Sequence, residues 1–160
     1  MKKALVINCS PVKNGATAEI VKCEIYATNS FFGGVYNNGT MTIKDSKLDV
    51  QLYHPTRFDA AILNYATLTL ENVNFKSTGI CVATSGSDEI DVVMTINGGV
   101  FTRTSDAESC DGAIVITKWD SSKGTKLVLK GSVTVNVFEG VQKVLDFYGD
   151  ATVEGLENVK

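Results

Sequence analysis

One short pattern recurs along this chain at a spacing that no single globular core requires. TAEIVKCEI begins at residue 17, TMTIKDSKL at 40, TLTLENVNF at 67, VMTINGGVF at 93, KLVLKGSVT at 126 and DATVEGLEN at 150. Superimposed on their fourth residue, these segments set Ile20, Ile43, Leu70, Ile96, Leu129 and Val153 in one column, at intervals of 23, 27, 26, 33 and 24 residues. A second block precedes the pattern twice, where GVYNNGTMTI at 34 matches AILNYATLTL at 61. Self-similarity at this period marks a chain built from stacked repeats, each burying its apolar side against the next.

Each repeat alternates. In TMTI, TLTL and VMTI the second and fourth residues are apolar and the third is Thr, the period-two pattern of a strand. Ala18, Met41, Leu68, Met94, Leu127 and Ala151 form a second inward column beside the first, while Thr42, Thr69, Thr95 and Thr152 point out. Five residues beyond the first column, Ile25, Leu48, Phe75 and Phe101 place another inward strand after a bend. The bends carry Lys22, Asp45, Asn72, Gly98, Gly131 and Gly155, several of them types that tolerate turn geometry. Upstream, Val35, Ile62, Ile114 and Leu145 supply a third wall. Asn8, Asn37 and Asn64 fall at matching places before the first strand, where amide side chains can bond along a stack.

The expected fold is therefore all-β: a single-domain parallel β-helix (β-solenoid) of about six coils over residues 1–160, with projecting loops. Residues 1–15 make an N-terminal cap or first partial coil, and 140–160 the C-terminal coil and cap. Loops are expected at 10–15, 52–57, 105–112 and 119–124, the last two filling the longest interval. Segment 139–147 (EGVQKVLDF) reads as a capping helix or a further strand.

Composition narrows the function classes. The net charge of −3 comes with no concentrated basic patch, which argues against nucleic-acid binding. No apolar run reaches the roughly 20 residues of a membrane-spanning helix. Ala4 to Ile7, behind Met1-Lys2-Lys3, is too short for a signal-peptide core, so synthesis in a host cytoplasm without a signal peptide is expected. Cys9, Cys23, Cys81 and Cys110 form no CxxC pair, and His54 is the single histidine. Free thiols, no metal site and no cofactor are expected.

The repeats GGVYNNGTMTIKDSKL and AAILNYATLTLENVNF resemble those of right-handed parallel β-helix proteins of the pectin-lyase-like superfamily. That group includes polysaccharide lyases, bacterial surface adhesins, and phage tailspike and virion proteins. Lyase chemistry needs carboxylates paired with Arg or Lys on one face. The nearest charged row stacks Lys44 beside Glu71 and Lys130 beside Glu154, the alternation of a solvated strand face. The acidic groups Asp88, Glu89, Asp91 and Asp106, Glu108, Asp111 fall in polar loops. Lys3 to Thr17 also resembles the phosphate-binding loop of flavodoxin-like FMN reductases, which implies FMN contacts at Ser10, Lys13, Asn14 and Thr17. That fold alternates strands with helices, and the remaining chain keeps to strand period.

The resemblance to virion β-helices implies a non-enzymatic structural or adhesive protein, such as a capsid decoration (cement) protein. It would be part of the virion, bind capsid or tail proteins, and form a homo-oligomer such as a trimer. Trp119, Tyr53, Phe58, Arg57, Asp106 and Glu108 are the expected partner contacts. A carbohydrate-binding or host-attachment module is the alternative, with FMN binding third.

Overall fold

The computed structural model describes residues 7–9, 16–30, 35–52, 60–104, 112–117, 123–138 and 145–160, with 7–9, 28–30 and 145–148 as backbone alone. The chain forms β1 (Ile7–Cys9), β2 (Thr17–Val21), β3 (Glu24–Ser30), β4 (Val35–Asn37), β5 (Thr40–Lys44), β6 (Lys47–Leu52) and β7 (Ala60–Asn64). It continues as β8 (Thr67–Ser77), β9 (Ile80–Ser85), β10 (Val92–Arg103), β11 (Ile114–Thr117), β12 (Thr125–Asn136), β13 (Leu145–Tyr148) and β14 (Thr152–Glu154), ending in a 3₁₀ turn, Leu156–Asn158. No α-helix occurs among the described residues. The 139–147 segment contributes strand β13, and residues 139–144 lie outside the description.

Every named strand pairing is parallel. One sheet has six strands in the order β1-β4-β7-β9-β11-β13; the other has eight, ordered β14-β12-β10-β8-β5-β2, with β6 beside β8 and β3 beside β6. In sequence the chain alternates between the sheets, so each strand pairs with its equivalents from the previous and following passes. Parallel strands need long returns rather than tight hairpins, and the repeat length supplies them.

Both faces between the sheets are mainly apolar. Ile43, Leu70 and Ile96 are buried and adjacent in register, as are Met41, Leu68 and Met94. Leu127 and Leu129 extend the two columns on β12. Leu48, Phe75 and Phe101 stack after the bend, with the two rings 6.2 Å apart. The third wall is longer than the sequence suggests: Ile7, Val35, Ile62, Val82, Ile114 and Leu145 share one register line. At the two ends of the eight-stranded stack, Ile20 and Val153 are only partly buried, because each has a neighbouring pass on one side.

The bends repeat with the strands. Lys22, Asp45 and Asn72 have φ of 53°, 49° and 50°, and Gly98, Gly131 and Gly155 have 67°, 63° and 81°. All six therefore occupy the left-handed region, which turns the chain without interrupting the ladder on either side. The bends also bond to one another: the Lys22 amide donates to Lys44 O, the Asp45 amide to Glu71 O, and Asn72 Nδ2 to Asp45 Oδ1.

Two register expectations are corrected. Val153 lies opposite Leu127, not Leu129, and Glu154 opposite Val128. The ion pair on that face is consequently Lys126–Glu154 at 2.7 Å, not Lys130–Glu154. The cause is the C-terminal turn. Asn158 Nδ2 donates to Leu129 O at 3.0 Å, and Val159 bridges Val133, so residues 156–159 occupy the space that a longer β14 would take. A Cβ on Gly155 would collide with the Leu129 carbonyl, so glycine is required there. The second correction is Asn8, which lies beside Tyr36, while Cys9 lies beside Asn37.

Candidate functional site

Strand alternation decides which side chains leave the six-stranded sheet outward. Val35, Ile62, Val82 and Ile114 face the core, as do Asn37, Asn64, Thr84 and Ile116. The residues between them face the other way: Tyr36, Leu63, Ala83 and Val115, in one register row. A solvated sheet face is ordinarily polar. This one is apolar over four consecutive passes. Ala60, Ile80 and Val115 are buried there in a second hydrophobic cluster, with Leu63 and Ala83 packed against them.

A cavity of about 170 Å³ opens on this face. Leu63, Tyr65, Ile80, Ala83 and Val115 give it apolar walls, and Ser85 and Thr117 give it a polar end. Tyr65 lies against Tyr36 with ring centroids 5.1 Å apart and planes inclined at 38°. Partial burial, then the neighbouring Tyr36, push the Tyr65 phenol above its usual range. It therefore stays protonated and can donate a hydrogen bond at neutral pH.

Beneath this face runs a buried polar ladder. Asn37 Nδ2 donates to Asn64 Oδ1 at 2.7 Å and to Thr67 O at 2.9 Å. Asn37 Oδ1 accepts from the Gly39 amide, and Asn64 Oδ1 from the Ala66 amide. Asn64 Nδ2 reaches Ala66 O, with Thr84 Oγ1 at 3.5 Å. The ladder fixes the turns that lead out of β4 and β7, and so holds Tyr65 in place beside Tyr36.

The outer face of the eight-stranded sheet is different. Thr17, Thr40 and Thr67 form one line, and Thr42, Thr69 and Thr95 another. Lys44 Nζ meets Glu71 Oε1 at 2.7 Å, and this hydrogen bond raises the lysine's pKa above its usual value. Exposed pairs of this kind contribute little to stability. Asp88 and Glu89 are exposed in a turn capped by Ser87 Oγ, and Asp91 Oδ1 accepts from the Gly124 amide at 2.8 Å. Among the described residues no group of three or more metal-ligating side chains gathers.

The expected partner contacts Trp119, Tyr53, Phe58, Arg57, Asp106 and Glu108 all lie outside the described residues, as do Ser10, Lys13 and Asn14. Thr17 opens strand β2 where the flavodoxin-like reading requires a helix. Sequence reasoning missed the row from Tyr36 to Val115 and the Tyr36–Tyr65 pair. The signal was present in the second repeat block, which aligns Tyr36 with Leu63 and Asn37 with Asn64, but β9 and β11 preserve too little of it. Comparison with protein-family models, curated proteins and solved structures returns no match.

Proposed function

We propose that the two sheets are the walls of one coiled β-solenoid, wound in the right-handed sense of nearly all parallel crossovers, and that the protein is a non-enzymatic adhesive module. The observation that carries this reading is the half-buried outward row Tyr36, Leu63 and Ala83 with its adjoining cavity, which ends at the buried Val115. An apolar patch on a register-locked wall is suited to protein contact, because little conformational freedom is lost when it docks. The partner we assign is a capsid lattice, on which the chain acts as a decoration protein of the virion. The assignment to virions draws on the resemblance of the repeats to phage β-helices.

The test is co-sedimentation of the recombinant chain with capsids encoded by the same source genome. Binding is expected, with at least a tenfold loss in Leu63→Asp and Ala83→Asp variants that retain the strand signature in circular dichroism. Unchanged binding by both variants contradicts this face as the contact.

A second reading has its own support. The Tyr36–Tyr65 pair beside Ser85 and Thr117 offers aromatic surface and hydroxyls together, a combination that suits a sugar ring. Retention on a glycan array, lost in Tyr65→Ala, with no capsid binding, would favour host attachment over decoration.

A further inference from the structure

The two ends of the eight-stranded sheet are finished differently. At the C-terminal end β14 is three residues long, and the chain then leaves the strand path at Gly155. Lys160 closes the edge of β12 beyond it: its amide donates to Val133 O at 2.9 Å, and its carbonyl accepts from the Val135 amide at 3.1 Å. A short edge broken by a turn is a poor template for another strand. The N-terminal end is formed by the five-residue strand β2 and, past the bend at Lys22, by β3, and no strand lies on the outer side of either among the described residues.

The peptide groups of β2 divide between its two sides. Ala16 O accepts from the Thr40 amide, and the Lys22 amide donates to Lys44 O. Parallel alternation gives Ala18 and Ile20 the intervening bonds to β5, so Thr17, Glu19 and Val21 turn their peptide groups to the side of β2 that carries no strand among the described residues. The Val21 carbonyl there accepts the Cys23 thiol at 3.3 Å. Ala16, Ala18 and Ile20 pack against the core and are only partly covered, whereas their equivalents Met41 and Ile43 are completely buried by the next pass. Val21 is 38 % exposed on the same strand.

We infer that this edge is covered by the β2 of a second copy of the chain, paired antiparallel across a twofold axis. The finished C-terminal end disfavours head-to-tail stacking, which leaves open edge against open edge, a closed pair rather than a fibre. Charge selects the register. With the axis through Glu19, the two Glu19 carboxylates would face each other. With the axis through Ala18, Thr17 of each copy lies opposite Glu19 of the other, and Ala16 lies opposite Ile20. Residues 17 and 19 are the ones whose peptide groups face outward, so they exchange bonds reciprocally and the apolar positions continue the core across the axis. The homo-oligomer expected from the sequence thereby becomes twofold rather than threefold.

The experiment is sedimentation equilibrium of the full chain from about 1 to 200 μM. Three variants accompany the wild type, with folding followed by circular dichroism and thermal melts. Glu19→Pro removes the outward amide while sparing the bonds to β5. Thr17→Glu places like charges opposite each other without touching the backbone. Leu156→Lys alters the other end. A wild-type dimer is expected, with a monomer for Glu19→Pro, at least tenfold weaker association for Thr17→Glu at low salt, and a dimer for Leu156→Lys. A wild type that is monomeric throughout, a trimer, or a folded Glu19→Pro that still dimerises overturns the inference.

Discussion

Asn37 Nδ2 lies 2.7 Å from Asn64 Oδ1, one pass further along the six-stranded sheet, and both side chains are fully buried. Each amide also satisfies main-chain groups in its own turn, Gly39 for Asn37 and Ala66 for Asn64. Replacing Asn64 by Leu keeps similar volume but leaves one Asn37 donor bond unmade and the Ala66 amide unpartnered, while the Ala66 carbonyl keeps the Val93 amide. Buried unsatisfied groups cost about 1–3 kcal/mol each. Asn64→Leu is expected to destabilise by about 3 kcal/mol in urea denaturation, and Asn64→Asp by more at neutral pH than at pH 4, since a charge would then be buried.

The hydroxyl of Thr125 is the one buried side-chain polar atom among the described residues with no hydrogen-bond partner. Val92 occupies the equivalent register position on β10. Thr125→Val removes the desolvated hydroxyl and keeps both shape and strand preference. A gain of about 1 kcal/mol is expected in the same denaturation experiment.

Two bend substitutions should move in opposite directions. Lys22 carries a Cβ at φ 53°, which an L-residue adopts at a cost of roughly 1–2 kcal/mol. Lys22→Gly relieves that strain, partly offset by the greater freedom of glycine in the unfolded chain, so a small gain in melting temperature is expected. Gly99 has φ 122°, and a Cβ there would meet Val73 O at 2.5 Å. Gly99→Ala is expected to cost 2 kcal/mol or more, by order of magnitude, because strain and backbone collision add.

Complete burial pushes the Cys81 thiol up to about 12, against a smaller lowering by Arg103. Because its folded-state pKa is raised, the stabilisation from the neutral thiol is fully present below pH 9. It is lost as the pH climbs from there towards 12. Tyr65, also raised, contributes with the same sign. Cys81→Ala should therefore flatten the fall in stability above pH 9 relative to wild type. With iodoacetamide at pH 8, peptide mapping should find exposed Cys23 modified and Cys81 untouched until the chain unfolds.

Much of the eight-stranded sheet was legible because its information is local. Alternation named the columns from Ile43 to Leu129, and small or polar residues named the left-handed bends at Lys22, Asp45, Asn72, Gly98, Gly131 and Gly155, though not the one at Gly149. The misplacement of Val153 has a physical reason. A slip of two residues leaves the in–out pattern unchanged, so parity cannot detect it. Only the packing of Asn158 and Val159 on β12 sets that register. Asn8 failed differently, by a single residue, where the short β1 offers little alternation to fix its face. The outer row was hidden because β9 and β11 are apolar on both sides, which in a sequence reads as burial; that holds for all of β11, whereas Ala83 on β9 and Leu63 on β7 are only partly buried.

The central claim is that equivalent strands from successive passes lie side by side in parallel, rather than each strand folding back on the one before it. Nuclear Overhauser contacts in the isotope-labelled full chain test this directly. Parallel-type backbone contacts are expected to link Thr42 to Thr69 and Thr69 to Thr95, with Tyr36 linked to Leu63. Antiparallel contacts between consecutive segments, joining Tyr36 to the Thr40–Lys44 strand or Thr69 to the Ile80–Ser85 strand, would contradict it.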